Sequence, residues 1–373
     1  MGIYEELGIK RIVNGNATLT RLGGSIMPRQ VIEAMIEASE AFVDIVELQG
    51  RVGREIARLT RNEAAYVSSG CAAALVLSTA ACITGLDPEK RERLPHLEGL
   101  QDEVIVHRMG RVGYDFAVRQ TGVRLVEIGT ERGTTEEDLR RAMSERTAAI
   151  LCFLRPDWTE RGLIPLDRLI AVAHERGVPV IVDAAAQVPP VSNLWSITGM
   201  GADLALFSGG KGLRGPQSAG LILGRKDLID ACAFNGPPHP FIGRPMKVGK
   251  EEMVGMLVAL RLYLARNERD LLDRYESQVK YLVDTFNGLP GLTVRRAFPS
   301  EAGQPMPRAE VVLDERRLEI TRDEVLRRLM DGDPAVSLAA AGKGGLYVNP
   351  QTLEEGEEKV VAQRLKEILR LEA

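Results

Sequence analysis

Short apolar runs at 64–68, 103–107, 123–128, 147–153, 178–183, 202–208 and 218–223 are rich in Val, Ile, Leu and Ala. Runs of this length read as strands. Between them lie stretches with apolar residues at helical spacing, over 28–48, 52–60, 71–85, 114–120, 136–143 and 166–176. In the first of these, Val31, Met35, Ala38, Phe42 and Ile45 fall at helical intervals. Strand and helix patterns alternating every ~30 residues predict a mostly parallel sheet with helices on both faces. The run at 218–223 is a candidate antiparallel member of a mixed sheet. Residues 71–85 are small and almost wholly apolar, so their helix must be buried on most sides. Residues 87–101 (DPEKRERLPHLEGLQ) are polar and read as a surface loop or short helix.

From 251 a helical pattern runs to about 286 with a break near Asn267. Strand patterns at 292–298 and 309–315, a helix over 321–330, short strands at 335–340 and 345–349, and a last helix from Glu355 follow. The organisation this predicts is an N-terminal arm over 1–24, a large α/β domain over 25–250, and a linking helix with a small α+β domain over 251–373.

Composition narrows the class. Of the 373 residues, 45% are hydrophobic and 27% charged, as in an ordinary soluble globular protein. The net charge of −4 gives no electrostatic footprint for nucleic acid. Cys71, Cys82, Cys152 and Cys232 have no metal-ligand spacing and read as free thiols. The start, MGIYEELGIKRIV, is acidic where a signal peptide is basic, and no apolar run reaches the roughly 18 residues a membrane span needs. The expectation is a cytoplasmic protein with no membrane partner.

Two strand patterns end in chemistry. One ends at Asp183 and the next at Ser208-Gly209-Gly210-Lys211. In a parallel sheet both ends open on the edge where ligands bind. A carboxylate and a lysine facing one crevice suit pyridoxal phosphate (PLP): the lysine forms the Schiff base and the carboxylate keeps the pyridine nitrogen protonated. Gly210-Lys211-Gly212-Leu213-Arg214-Gly215 matches GxGxxG, but Pro216 and a strand pattern follow where a dinucleotide site requires a helix. Ser68-Ser69-Gly70 before the apolar helix reads either as a Ser N-cap or as an anion cradle at a helix N-terminus. The segment GPPHPFIGRPMKVGK holds four prolines and three glycines and is a basic irregular loop.

The stretch FSGGKGLRGPQSAG resembles the FSGDKxxGGPQAG signature around the Schiff-base lysine of selenocysteine synthase and its SelA-like relatives, which are fold-type-I PLP enzymes. The likeness extends through NGNATLTRLGGS, FVDIVELQGRVG, SSGCAAAL, EVIVHR, IVDAAAQ and GRPMKVGKEEM. Within that family the chain most resembles the D-glucosaminate-6-phosphate ammonia-lyase-like branch. The implied fold is a fold-type-I PLP-dependent transferase fold, α/β, with a mostly parallel sheet of the seven-stranded type and a smaller α+β C-terminal domain.

The resemblance implies a role for each matching residue. Lys211 is the Schiff-base lysine and the base that moves the Cα proton; Asp183 binds the ring nitrogen. Ser69, Gly70 and Cys71 cradle the phosphate, through the backbone N–H in the case of Cys71, and Ser208 adds a hydroxyl. His107 stacks on the pyridine ring, Ala185 lies beneath it, and Gln187 reaches the phenolic oxygen; for His107 and Gln187 a purely structural place is an equal reading. Arg21, Arg244, Lys247 and Lys250 are candidate cations for a substrate carboxylate or phosphate, often contributed by a partner subunit in this superfamily. The stretch PAVSLAAAGKGGLYVNP offers only Lys343 where such enzymes usually carry a carboxylate-binding arginine. Selenocysteine synthase has an N-terminal tRNA-binding region, whereas the likeness here starts almost at the first residue, and with the charge balance this speaks against a tRNA substrate. The expected activity is that of a β-eliminating ammonia lyase on an amino sugar acid or hydroxy amino acid, through a Lys211 aldimine and a Cα carbanion. Racemase, aldolase or aminotransferase chemistry, or a non-catalytic binding module, are the alternatives. A homodimer or higher homo-oligomer is expected.

Overall fold

Local sequence sets where the helices begin and end. The computed structural model describes residues 2–155, 157–158 and 160–371. In chain order the elements are α1 (Ile3–Glu6), β1 (Ile12–Gly15), α2 (Arg29–Ser39), α3 (Ile45–Thr60), β2 (Ala64–Ser68), α4 (Cys71–Thr84) and α5 (Pro88–Arg93). Next come β3 (Glu103–His107), α6 (Asp115–Arg119), β4 (Arg124–Ile128), α7 (Glu136–Ala142), β5 (Thr147–Phe153), α8 (Leu166–His174) and β6 (Val180–Asp183). They are followed by α9 (Asn193–Gly199), β7 (Leu204–Ser208), β8 (Gly220–Gly224), α10 (Lys226–Asn235), α11 (Lys250–Ala265) and α12 (Glu268–Phe286). The chain closes with β9 (Leu292–Ala297), β10 (Arg308–Leu313), α13 (Arg322–Asp331), β11 (Ala335–Ala341), β12 (Gly345–Val348) and α14 (Glu357–Leu369).

The single helix expected over 28–48 is two. Asp44 caps α3 by accepting the N–H groups of Val46 and Glu47, each at 2.9 Å, and that restart leaves 40–44 outside either helix. Phe42, expected on a helix face, is fully exposed instead. The break near Asn267 stands, with its side chain accepting the Arg269 N–H at the start of α12. Helices α9 and α10 were not expected; α10 buries Leu228, Ile229, Ala231 and Cys232.

The chain forms two units, Met27–Ala265 and a second made of Met1–Ile26 with Arg266–Ala373. The larger holds a seven-stranded sheet in the order β2-β8-β7-β6-β5-β3-β4. Strands β7, β6, β5, β3 and β4 are parallel, and β8 runs antiparallel to β7 and β2. The face formed by Val106, Leu151, Phe153, Ile181, Leu206 and Ile222 packs on Ala74, Leu75, Leu77 and Ala81 of α4, whose apolar character the sequence foretold. Helix α11 buries Met253, Met256, Ala259 and Leu260 in this unit and packs on α2, so the division falls between α11 and α12 rather than at 250.

The smaller unit is a five-stranded sheet, β1-β11-β12-β10-β9. The segment read as an arm supplies β1, which runs parallel to β11, with Ile12 opposite Ala335 and Gly15 opposite Leu338. Its core joins Val279, Leu282 and Phe286 of α12 to Val311, Val336 and Leu346 of the sheet and Val361 and Leu365 of α14.

Candidate active site

Parallel pairing of β6 and β7, with Asp183 opposite Leu206, brings both strand ends to one edge. Two backbone bonds lock them there: Ala184 N–H to Leu206 O at 2.9 Å, and Ser208 N–H to Ala185 O at 3.3 Å. Asp183 is buried, and its Oδ1 accepts the Ala185 N–H at 2.9 Å and the Cys71 thiol at 3.6 Å. Burial raises its pKa, while the Ala185 N–H, the nearby Lys211 charge and the Cys71 thiol pull it back. Cys71 touches the carboxylate, and Lys211 follows the end of β7, the strand paired with β6.

The loop carrying Lys211 is tight for packing reasons. Gly209 N–H donates to Ala219 O and Gly215 N–H to Gly209 O, both at 2.8 Å. A Cβ on Gly209 would stand 2.6 Å from Met256 Sδ, and one on Gly210 would stand 2.6 Å from Gln217 Cα. After Pro216 the chain enters β8, so the GxGxxG match opens no helix.

Helix α4 begins at the same edge. Gly70, at φ +85°, is its N-cap, and Ser68 Oγ donates to Gly70 O at 2.9 Å. The serine therefore does not cap the helix, and the first-turn N–H groups keep their freedom for an anion. Neither Ser69 nor Ser208 spends its hydroxyl on a hydrogen bond among the described residues. Sequence reading missed Gly220, the first residue of β8. A Cβ there would lie 2.6 Å from the Gly70 carbonyl carbon and 2.8 Å from the Cys71 nitrogen.

Other expected site residues sit differently. Val106 pairs with Leu151 and Phe153 with Asp183, so these share one face, and alternation turns His107 to the other. Its Nδ1 meets Thr134 Oγ1 at 3.0 Å and its ring stands edge-on to Trp158 at 5.0 Å. Burial pushes its pKa down to about 4, which leaves the imidazole neutral at pH 7. In this structure the imidazole therefore packs against Thr134 and Trp158. Gln187 is buried and directs its Nε2 to Leu154 O at 3.2 Å, while Ala185 ties β6 to β7 as described.

The cations divide. Lys250 donates to Ala38 O and Glu251, so its ammonium is held within the fold and is not offered to a substrate. Arg244 and Lys247 are exposed and line a cavity of about 690 Å³ beside β2, together with Tyr66, Phe234 and Met253. That lining includes neither Asp183 nor Lys211. Arg21 is exposed in a short turn of the smaller unit. The same unit holds an arginine outside the inspected stretch: Arg308 on β10 stacks on Tyr347 at 3.9 Å, and its Nε has no partner. Among the described residues no cluster of His, Cys, Asp and Glu could hold a metal ion, and no helix is long and apolar enough to cross a membrane.

The residues present fit PLP. A buried carboxylate has one oxygen engaged by two donors among the described residues and the other left for a ring N–H; a lysine lies in the loop that leaves the neighbouring strand, and a glycine-capped helix start opens at the same edge. A mostly parallel seven-stranded sheet that gathers these at one edge is the frame of fold-type-I PLP-dependent enzymes, and this chain is one of them. A model of the SelA family, L-seryl-tRNA selenium transferase, matches residues 12–273, and the chain belongs to that family.

Two relatives are nearly full-length. The chain is 32% identical to D-glucosaminate-6-phosphate ammonia lyase of Salmonella typhimurium (strain 14028s / SGSC 2262), over 98% of this chain and 97% of that protein. It is 33% identical to 5'-C-glycyluridine monooxygenase-decarboxylase of a Streptomyces species, over 98% and 92%. A solved structure of D-glucosaminate-6-phosphate ammonia-lyase superposes with TM-score 0.86 at 31% identity, over 99% of this chain and 98% of that one. An SPT structure containing PLP shares the fold alone, with TM-score 0.60 at 15% identity over 96% and 87%. PLP is the cofactor, and the comparisons support the class of PLP-dependent lyase.

Proposed function

We propose that this enzyme releases ammonia from an amino sugar acid or hydroxy amino acid, with Lys211 and Asp183 as its catalytic residues. The observation that carries the reading is the buried Asp183 carboxylate at the end of β6, next to the strand whose loop carries Lys211 and at the edge where α4 begins. The near full-length likeness to an ammonia lyase supports the reaction type.

Each residue has a physical task. Asp183 Oδ2 would accept the ring N–H, and Lys211 Nζ would hold the cofactor covalently until the substrate amine replaces it. The first-turn N–H groups of Cys71 and Ala72, with the hydroxyls of Ser69 and Ser208, would bind the phosphate. When bound, PLP supplies an electron sink that acidifies the Cα–H bond of an attached amino acid. Lys211, once free, takes that proton at Nζ and returns one to the departing β-hydroxyl. Loss of one water across Cα and Cβ, displacement of the product amine by Lys211 Nζ and later addition of one water to the released product would give a keto acid and ammonia.

Arg244, Lys247 and Arg21 are the cations proposed for a substrate carboxylate or phosphate. With Arg244 and Lys247 lining a cavity apart from Asp183, this reading has them serve a partner subunit's site in a homodimer or larger assembly. The exposed apolar side chains of Phe42, Val43 and Val46 support such a covered face.

Purified enzyme supplied with PLP and candidate hydroxy amino acids is expected to yield ammonia and keto acid with no keto-acid acceptor present. Strict dependence on an acceptor would replace lyase by aminotransferase. A second reading is favoured by the Streptomyces relative, whose name implies oxidative decarboxylation; uptake of dioxygen with release of carbon dioxide would decide for it.

A further inference from the structure

Both hydrogen bonds that Asp183 accepts among the described residues reach the same oxygen. The Ala185 N–H donates to Oδ1 at 2.9 Å and the Cys71 thiol at 3.6 Å. The donors have different origins. Ala185 follows Asp183 in the loop after β6, whereas Cys71 opens α4, 112 positions away in the chain. A single main-chain donor two residues on fixes the place of Oδ1 but leaves the carboxylate plane free to turn about it. A second donor, on an independent and well-buried helix, removes that freedom and so sets where Oδ2 lies.

We propose that Cys71 is a positioning residue: its thiol holds Asp183 Oδ1 against the first turn of α4 and thereby aims Oδ2 at the place where the PLP ring nitrogen binds. The inference rests on the assignment of Asp183 and Lys211 made above. Burial, reinforced by the neighbouring Asp183 charge and only partly offset by Lys211, keeps the Cys71 pKa well above its ordinary value. The sulfur is thus a protonated donor at neutral pH and not a thiolate. Position also matters. The same first turn offers its N–H groups to the phosphate, so one rigid element would hold both ends of the cofactor, the phosphate through its backbone and the ring nitrogen through a side chain acting on Asp183. Gly220 backs that turn so closely that it has little room to shift.

The test uses holoenzyme of the wild type, Cys71→Ala and Cys71→Ser. Alanine suits a helix whose next three residues are alanines, and serine restores an O–H donor at the same site. PLP release is followed by dialysis, the visible band is titrated with pH, and the melting temperature of each apoprotein is measured. A thiol hydrogen bond of ordinary net worth predicts roughly two- to tenfold faster release from Cys71→Ala. A displaced titration midpoint, a slightly lower apoprotein melting temperature and recovery of release, midpoint and melting temperature in Cys71→Ser are expected with it. Wild-type release and titration in Cys71→Ala would overturn the proposal, as would equal impairment of the Ala and Ser variants, which marks simple packing. Wild-type protein that takes up no PLP would instead overturn the site assignment on which the proposal stands.

Discussion

Gly220 lies so close to Gly70 that a side chain on the first residue of β8 has no room against the start of α4. A Cβ on Gly220 would stand 2.6 Å from the Gly70 carbonyl carbon and 2.9 Å from its oxygen. Because all the near atoms are backbone, no side-chain rotation relieves the clash. Gly220→Ala is expected to push the α4 N-terminus away from the sheet edge, with a destabilisation of about 1–3 kcal/mol. Phosphate affinity should fall further than stability does. Equilibrium dialysis of PLP beside urea unfolding of the apoprotein measures the two separately.

Lys211→Ala removes the amine that would bond the cofactor. The variant is expected to lose the visible band at about 420 nm and all lyase activity, while added PLP still binds noncovalently through Asp183 and α4. A band surviving in this variant would move the covalent role to another lysine.

Asp183 carries a raised pKa, chiefly from burial, so it binds protons more tightly in the folded apoprotein than in the unfolded chain. Its contribution to apoprotein stability is therefore fully present below the ordinary carboxylate pKa and declines as pH rises through the raised value. Asp183→Asn keeps an Oδ1 acceptor for Ala185 and Cys71 but removes the buried charge. The apoprotein of this variant is expected to melt about 2–4 °C higher at pH 7 and to lose activity. Calorimetry of apo and holo forms checks both halves of the expectation.

His107 shows the opposite sign. Its pKa is lowered to about 4 by burial, so between pH 6.5 and about 4 the unfolded chain binds the proton that the folded one refuses. Stability is full above pH 6.5 and lost progressively as pH falls through that window, by up to about 3 kcal/mol. Urea unfolding at pH 7 and pH 5 should show the loss in the wild type and a smaller one in His107→Gln. An identical pH dependence in the variant would remove His107 from the account.

Much of this was legible because it is local. Strand length, most helical spacing and the Asn267 break depend on neighbours a few residues apart, and the strands and that break appear close to where the pattern put them. Phe42 and His107 mark the limit. The period that set Phe42 on a helix face could not register that Asp44 caps a new helix two residues later. For His107, the end of a strand was readable but the side chain's face was not, since that depends on which residues of β3 and β5 are paired. Gly220 carried no local signal, and nothing local tied the Cys71 side chain to Asp183, for the same reason: each contact is made with a segment distant in the chain.

The sequence by itself determined the class of fold and the cofactor chemistry, and it singled out the two residues proposed for that chemistry, Asp183 and Lys211. Apolar periodicity and glycine placement act over short spans, so they survive in one dimension. Only the tertiary structure decided that Cys71 donates to Asp183, that Gly70 rather than a serine caps α4, and that Lys250 is tied to Ala38. It also decided that residues 12–15 pair with a strand more than three hundred positions later, with Ile12 opposite Ala335. These are contacts between distant segments, fixed by strand register and helix packing, and no spacing along the chain encodes them.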